Sequence, residues 1–154
     1  MKRTRTANPI TILMAEDDPE DRMITQDGFE ESKLANDLRF VEDGEELMDY
    51  LYRRGKYSDP ELSPRPGLIL LDLNMPRKDG REALVEIKAD PRLRSIPVVV
   101  LTVSKAEEDI LRSYDTGANS YITKPVTFAG LVEALKALGL YWFEIVELPP
   151  TRGA

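Results

Sequence analysis

Short apolar runs alternate with segments of helical period along most of this chain. Residues 10–15 (I-T-I-L-M-A) lie between Pro9 and an acidic run and are almost wholly apolar, which marks a buried strand. Pro19 suits the first turn of a following helix, in which Met23, Ile24, Phe29 and, at the margin, Gln26 share a face; its end is expected near Ser32. Residues 38–41 read as a short strand. A second helix starts at Asp43 or Gly44, where Leu47, Met48 and Leu51 make an apolar stripe. Residues 53–66 carry Pro60, Pro64 and Pro66, which remove backbone donors and fix the chain, so this stretch is a surface loop. It is longer than most connections in a compact domain. Residues 67–71 (G-L-I-L-L) are the most apolar run and form a central strand. A helix from about Gly80 carries Ala83, Leu84 and Ile87 and stops before Pro91. Residues 96–101 are β-branched and strand-like. Ser104 caps a helix with Ile110, Leu111 and Tyr114 inward, closed at Gly117. Residues 120–123 are a brief strand stopped by Pro125, and Thr127 caps a last helix with Phe128, Leu131, Leu135 and Leu138 in phase.

Five strands and five helices in strict alternation predict an α/β fold with a parallel sheet covered on both faces by right-handed crossovers. Continuous hydrophobicity within the strands, without polar alternation, points the same way. A length of 154 residues allows one domain with a real core. The expected organisation is a flexible basic lead-in at 1–9 (Lys2, Arg3, Arg5), a folded domain at 10–139 and an apolar extension at 140–154. The apolar stretch after the lead-in is too short for a signal peptide, and no run approaches the roughly 18 residues that span a bilayer.

Charge and composition narrow the chemistry. A net charge of -7 argues against a nucleic-acid partner, whose binding depends on neutralising phosphates. The absence of cysteine excludes disulfides and thiolate metal sites and fits a reducing, cytoplasmic setting. The absence of histidine excludes a histidine base, a histidine-ligated zinc and a phosphohistidine on this chain.

Four polar signals remain, each at the end of an expected strand, where open parallel sheets build their binding crevice. In Glu16-Asp17-Asp18 the adjacent carboxylates repel one another by roughly 1–4 kcal/mol per close pair. A hard cation offsets that repulsion, and oxygen ligands of this kind suit Mg²⁺. Asp18, just before Pro19, reads more readily as a helix cap than as a site residue. Asp72 ends the most hydrophobic strand, where a carboxylate needs a cation or donor; it is either a nucleophile toward phosphorus or a cap for the next turn. Thr102 closes the fourth strand and is either a β-former or a ligand to an anion. Lys124 closes the fifth, and a cis Lys124-Pro125 bond would aim its amine across the strand ends.

Glu16-Asp17, L-L-D-L-N-M-P ending at Pro76, Lys78-Asp79-Gly80, Thr102 and Y-I-T-K-P ending at Pro125 resemble the receiver domain of two-component response regulators. The likeness covers residues 10–138. It implies a flavodoxin-like, doubly wound (βα)5 sheet with strand order 2-1-3-4-5. By the same resemblance Asp72 is the phosphoacceptor, and Asp17, Asp72 and the carbonyl of Asn74 hold Mg²⁺ with Glu16 binding through water. Thr102 and Lys124 then meet phosphoryl oxygens, and Tyr121 is the switch aromatic that follows Thr102. The resemblance further implies a phosphoacceptor rather than an enzyme in the usual sense, with a partner sensor histidine kinase as phosphoryl donor. Val103 departs from the small residue usual after the threonine and is expected to narrow access to the phosphoryl site.

The segment 140–148 (L-Y-W-F-E-I-V-E-L) holds Leu140, Trp142, Phe143 and Ile145, too apolar to lie open to water. It either folds back on its own domain or packs across a two-fold axis in a homodimer. With the long loop and the L-P-P ending, it looks like the single-domain receivers paired with bacterial phytochromes, which implies a dimer and a phytochrome kinase as donor. Three other readings fit less well. A haloacid-dehalogenase-like phosphatase wants an acid where Asn74 stands. A flavodoxin-like cofactor binder wants a phosphate-cradling loop where Glu16-Asp17-Asp18 stand. A phosphorylation-independent scaffold has no need of the complete acid, Thr102 and Lys124 set. Too few residues follow Leu138 for a helix-turn-helix domain.

Overall fold

The computed structural model describes residues 10–31, 36–75, 77–114 and 117–137, without the side chains of Phe128 and Leu135. Each apolar run becomes a strand and each periodic segment a helix. In order they are β1 (Thr11–Ala15), α1 (Pro19–Glu31), β2 (Asp37–Val41), α2 (Gly44–Tyr52), β3 (Leu68–Asp72), α3 (Gly80–Ala89), β4 (Val98–Thr102), α4 (Lys105–Ser113), β5 (Ser120–Thr123) and α5 (Phe128–Ala137). A one-turn 3-10 helix, Gly55–Tyr57, lies between α2 and β3. The strands form one parallel sheet in the order β2-β1-β3-β4-β5, the flavodoxin-like order expected.

Successive strand residues point to opposite faces, so each strand feeds two cores. On one face Leu13, Ile69, Leu71, Val98 and Val100 pack with Leu47 and Met48 of α2, Leu84 and Ile87 of α3 and Leu111 of α4. On the other, Ile12, Met14, Leu70, Val99 and Leu101 pack with Phe29 of α1 and Leu131 and Ala134 of α5. Both faces being covered, β3 and β4 are buried at every position. That is why their sequences read as unbroken apolar runs.

Helix starts follow their caps. Asp43 and Asp79 accept from the Glu46 and Glu82 amides at 2.8 and 3.0 Å, Ser104 from the Glu107 amide at 3.1 Å, and Thr127 from the Gly130 amide at 3.0 Å. Two glycines let elements approach closely. A Cβ on Gly80 would stand 2.5 Å from the Asp72 carbonyl, and one on Gly44 would stand 2.0 Å from the Lys78 carbonyl. The loop after β3 is thereby pressed between α2 and α3.

Several side-chain placements differ from the sequence expectation. On α1 the buried residues are Thr25 and Phe29, while Met23, Ile24 and Gln26 are exposed. Thr25 tolerates burial because its hydroxyl donates to the Asp21 carbonyl at 3.0 Å. Ile110 on α4 and Tyr114 just past its end face outward, and Leu111 and Glu108 face inward. Glu108 is held by Lys105 at 3.0 Å and Arg112 at 2.8 Å, so a carboxylate occupies a position that hydrophobicity alone gives to isoleucine. α4 ends at Ser113, before Gly117. The proline-bearing loop is tied down rather than loose. Tyr50 donates to the Pro64 carbonyl at 2.8 Å, Tyr57 to Glu46 at 2.5 Å, and the buried Ser63 to the Tyr57 carbonyl at 2.8 Å. Leu138, and the extension with Leu140, Trp142, Phe143 and Ile145, lie outside the described residues.

Candidate functional site

The C-terminal ends of β1, β3, β4 and β5 lie side by side, and the register pairs Asp72 with Leu101 and Thr102 with Thr123. Parallel strands of similar length must release their last residues at one edge, so sequence-distant polar groups arrive together. Glu16 follows β1 and is fully buried, its amide donating to the Val41 carbonyl at 2.9 Å. Asp17 beside it is exposed. Asp18 accepts from the Glu20 amide at 2.9 Å, so the capping role for that residue holds in the structure.

Asp72 is nearly buried, and its two oxygens are treated differently. Oδ1 accepts from the Asn74 amide at 2.9 Å, in the turn that leaves β3. Oδ2 lies 2.9 Å from Lys124 Nζ. The Lys124-Pro125 bond is cis, and the Lys124 amide donates to the Thr102 carbonyl at 2.7 Å. Its ammonium also meets Glu16 Oε1 at 2.7 Å and Asp21 Oδ2 at 3.1 Å.

Burial pushes the Glu16 carboxyl up to about 7; Lys124 and the Asp18 amide pull against that rise, and the charge of Asp72 adds to it. Burial draws the Lys124 ammonium down, but its contacts with the Glu16, Asp72 and Asp21 carboxylates outweigh it, and the amine is held protonated above the usual lysine range. Glu16 Oε1 is within ion-pair distance of Lys124 yet has no aligned hydrogen-bond donor, so their attraction is electrostatic rather than directional.

Oxygens of Glu16, Asp17 and Asp72 all lie within 4.8 Å of one another. A carboxylate trio with a buried, undonated oxygen fits a hard divalent cation such as Mg²⁺. No nitrogen or sulfur ligand from histidine or cysteine exists in the chain to favour a softer ion. The Asn74 amide is part of the same turn.

Thr102 is fully buried, with Oγ1 3.4 Å from both the Ile122 carbonyl and Thr123 Oγ1. Tyr121 is half-buried, its ring 4.6 Å beneath the Arg112 guanidinium and its hydroxyl 3.4 Å from the Leu111 carbonyl. Glu108 holds that arginine. Val103 is exposed at the mouth of the strand ends.

Sequence reading did not single out Asp21, Arg22, Glu108 or Arg112. Asp21 lies in the first turn of α1, on the side that meets Lys124. Among several acids in a first turn, however, nothing marked it. Arg22 donates to the Glu16 carbonyl at 2.7 Å and fixes the acidic loop from the same turn.

The response regulator receiver domain family matches residues 12–136. Response regulator Rcp1 of Synechocystis sp. is 43% identical over 141 residues, covering 92% of this chain and 94% of its own length. A crystal structure of Rcp1 in its Mn²⁺-bound form superposes with a TM-score of 0.67 over 92% of this chain and 100% of that one. The bacteriophytochrome response regulator RtBRR has a TM-score of 0.81 at 42% identity, covering 93% of this chain and 86% of that one. The phosphorylated cyanobacterial phytochrome response regulator RcpA has a TM-score of 0.68 at 43% identity, covering 88% and 94%. Fold, acidic cluster and similarity along nearly the whole length agree. This chain belongs to the response regulator receiver domain family and is related to the phytochrome response regulators.

Proposed function

We propose that the chain is a single-receiver switch that accepts a phosphoryl group on Asp72 from a sensor histidine kinase. The observation that carries this is the state of the Asp72 carboxylate. It is nearly buried, one oxygen is fixed by the Asn74 amide, and the other faces the Lys124 ammonium beside Glu16 and Asp17. One Asp72 oxygen attacks the phosphorus of a phosphohistidine. A P–O bond forms as the P–N bond breaks, and the imidazole leaves with the electron pair and is protonated on the donor.

Asp17, Asp72 and the Asn74 carbonyl are the ligands we assign to Mg²⁺, with Glu16 holding it through water. When bound, the ion supplies charge neutralisation for the incoming phosphoryl oxygens. Lys124 pairs with one phosphoryl oxygen, and Thr102 donates to another by turning from β5. Tyr121 packs inward as the threonine moves, which biases a two-state equilibrium at the α4–β5 surface. The relatives' names, phytochrome and bacteriophytochrome response regulators, support a light-sensing kinase as the donor. We also propose that residues 10–139 are the receiver and that the apolar residues of 140–154 join two copies in a homodimer.

The test is phosphotransfer. A purified bacteriophytochrome kinase is labelled on its histidine with ATP and mixed with this chain in Mg²⁺. Label should pass to the wild type and not to Asp72→Asn. Label reaching both equally, or staying on several such kinases, contradicts the proposal.

A further inference from the structure

Lys124 engages one acid more than the metal and phosphoryl roles require. Asp21 comes from no strand end; it sits in the first turn of α1, and its Oδ2 lies 3.1 Å from Nζ. That turn is braced within α1 and is anchored to the site beside Asp21. The Asp21 carbonyl accepts the Thr25 hydroxyl at 3.0 Å, and neighbouring Arg22 donates to the Glu16 carbonyl at 2.7 Å. The acids grouped closely enough to share a cation are Glu16, Asp17 and Asp72. Asp21 therefore touches the lysine from outside that group.

Of the three protons an ammonium can donate, Lys124 directs hydrogen bonds to Asp72 and Asp21, while Glu16 Oε1 stands 2.7 Å away as a further anion against the same cation. A phosphoryl group on Asp72 adds an acceptor of up to two negative charges within its reach. The phosphoryl oxygens then compete with the acids already crowded around one ammonium and draw it away from its weakest contact. Asp21 is the least costly to release. Its contact is the longest, and its side chain is 28% exposed against 8% for Asp72 and 1% for Glu16, so water rehydrates it at once.

We infer that Asp21 is a positioning residue that holds Lys124 toward α1 in the unphosphorylated protein and competes with the phosphoryl group for its ammonium. Asp21 thus sets how readily the phosphorylated state forms, and its release frees a contact between α1 and the β5–α5 loop on phosphorylation. This rests on Asp72 being the phosphoacceptor.

The test is calorimetric titration of the full-length protein with beryllofluoride in Mg²⁺, and with Mg²⁺ alone, for four proteins: wild type, Asp21→Asn, Asp21→Glu and Glu20→Gln. Glu20 is an exposed acid on the same turn and controls for general charge. Asp21→Asn should bind beryllofluoride roughly three- to fivefold more tightly, the scale of a partly exposed ion pair, with unchanged Mg²⁺ affinity. Asp21→Glu should stay near wild type, and Glu20→Gln should equal it. Equal beryllofluoride affinity in wild type and Asp21→Asn overturns the role of Asp21 alone. So does an equal gain in Glu20→Gln, or a gain matched by Mg²⁺ affinity. A wild type that takes up no beryllofluoride overturns the Asp72 reading beneath it.

Discussion

At Lys124 one ammonium offsets carboxylates from the loop after β1, from α1 and from β3. Removing it leaves those acids crowded at a poorly hydrated strand end. Lys124→Met should lose about 2–3 kcal/mol in urea unfolding at neutral pH, below the full value for a deeply buried pair because solvent reaches the lysine. Added Mg²⁺ should recover part of the loss; a variant as stable as wild type without metal would contradict this. A second residue-scale case lies at the far end of α3. Asp90 is held down to about 2 by hydrogen bonds from the Arg92 side chain and amide and from the Tyr52 hydroxyl. A depressed carboxyl stabilises the fold above its ordinary value of 3.8, and that contribution is lost as pH falls from there toward 2. Carboxyl NMR titration should place the Asp90 midpoint near 2 and move it upward in Arg92→Ala; the same midpoint in both would rule out the arginine as cause.

Helix faces are where pattern and packing part company. Leu131 on α5 is fully buried, and Leu131→Ala should cost about 2–5 kcal/mol. Met23 on α1 is 64% exposed, and Met23→Ala should change stability by less than about 0.5 kcal/mol. Comparable losses in chemical denaturation would mean the α1 face is assigned wrongly. The strands were legible because β3 and β4 are buried at every position, so each reads as four apolar residues in a row closed by one polar residue. Helices were less so. Thr25 and Glu108 occupy core-facing positions by satisfying their own polar atoms, Thr25 on a carbonyl and Glu108 on two cations. Hydrophobic periodicity has no means of seeing such pairings, so Met23, Ile24, Ile110 and Tyr114 were placed inward. Gly80 belongs to this scale too: Gly80→Ala drives a methyl to 2.5 Å from the Asp72 carbonyl. About 1–3 kcal/mol should be lost, with shifts in the Asn74 amide signal; an unperturbed Asn74 would separate α3 from the site.

For the whole molecule, the order of strands does the gathering. Glu16, Asp72, Thr102 and Lys124 are far apart in the chain, yet β1, β3, β4 and β5 are consecutive neighbours in the sheet and present them at one edge. Strand-end position made those residues readable in advance. Asp21 reaches Lys124 from a helix, through a contact fixed only by how α1 packs, and so was not readable. The central claim is that this gathered edge takes a phosphoryl group on one carboxylate. Its most direct test is to incubate the protein with a small phosphodonor and Mg²⁺ and locate the added phosphoryl mass by peptide mapping. One phosphoryl should be found on the peptide containing Asp72, absent without Mg²⁺ and absent in Asp72→Asn. A phosphoryl on any other peptide, or undiminished in Asp72→Asn, would contradict the account.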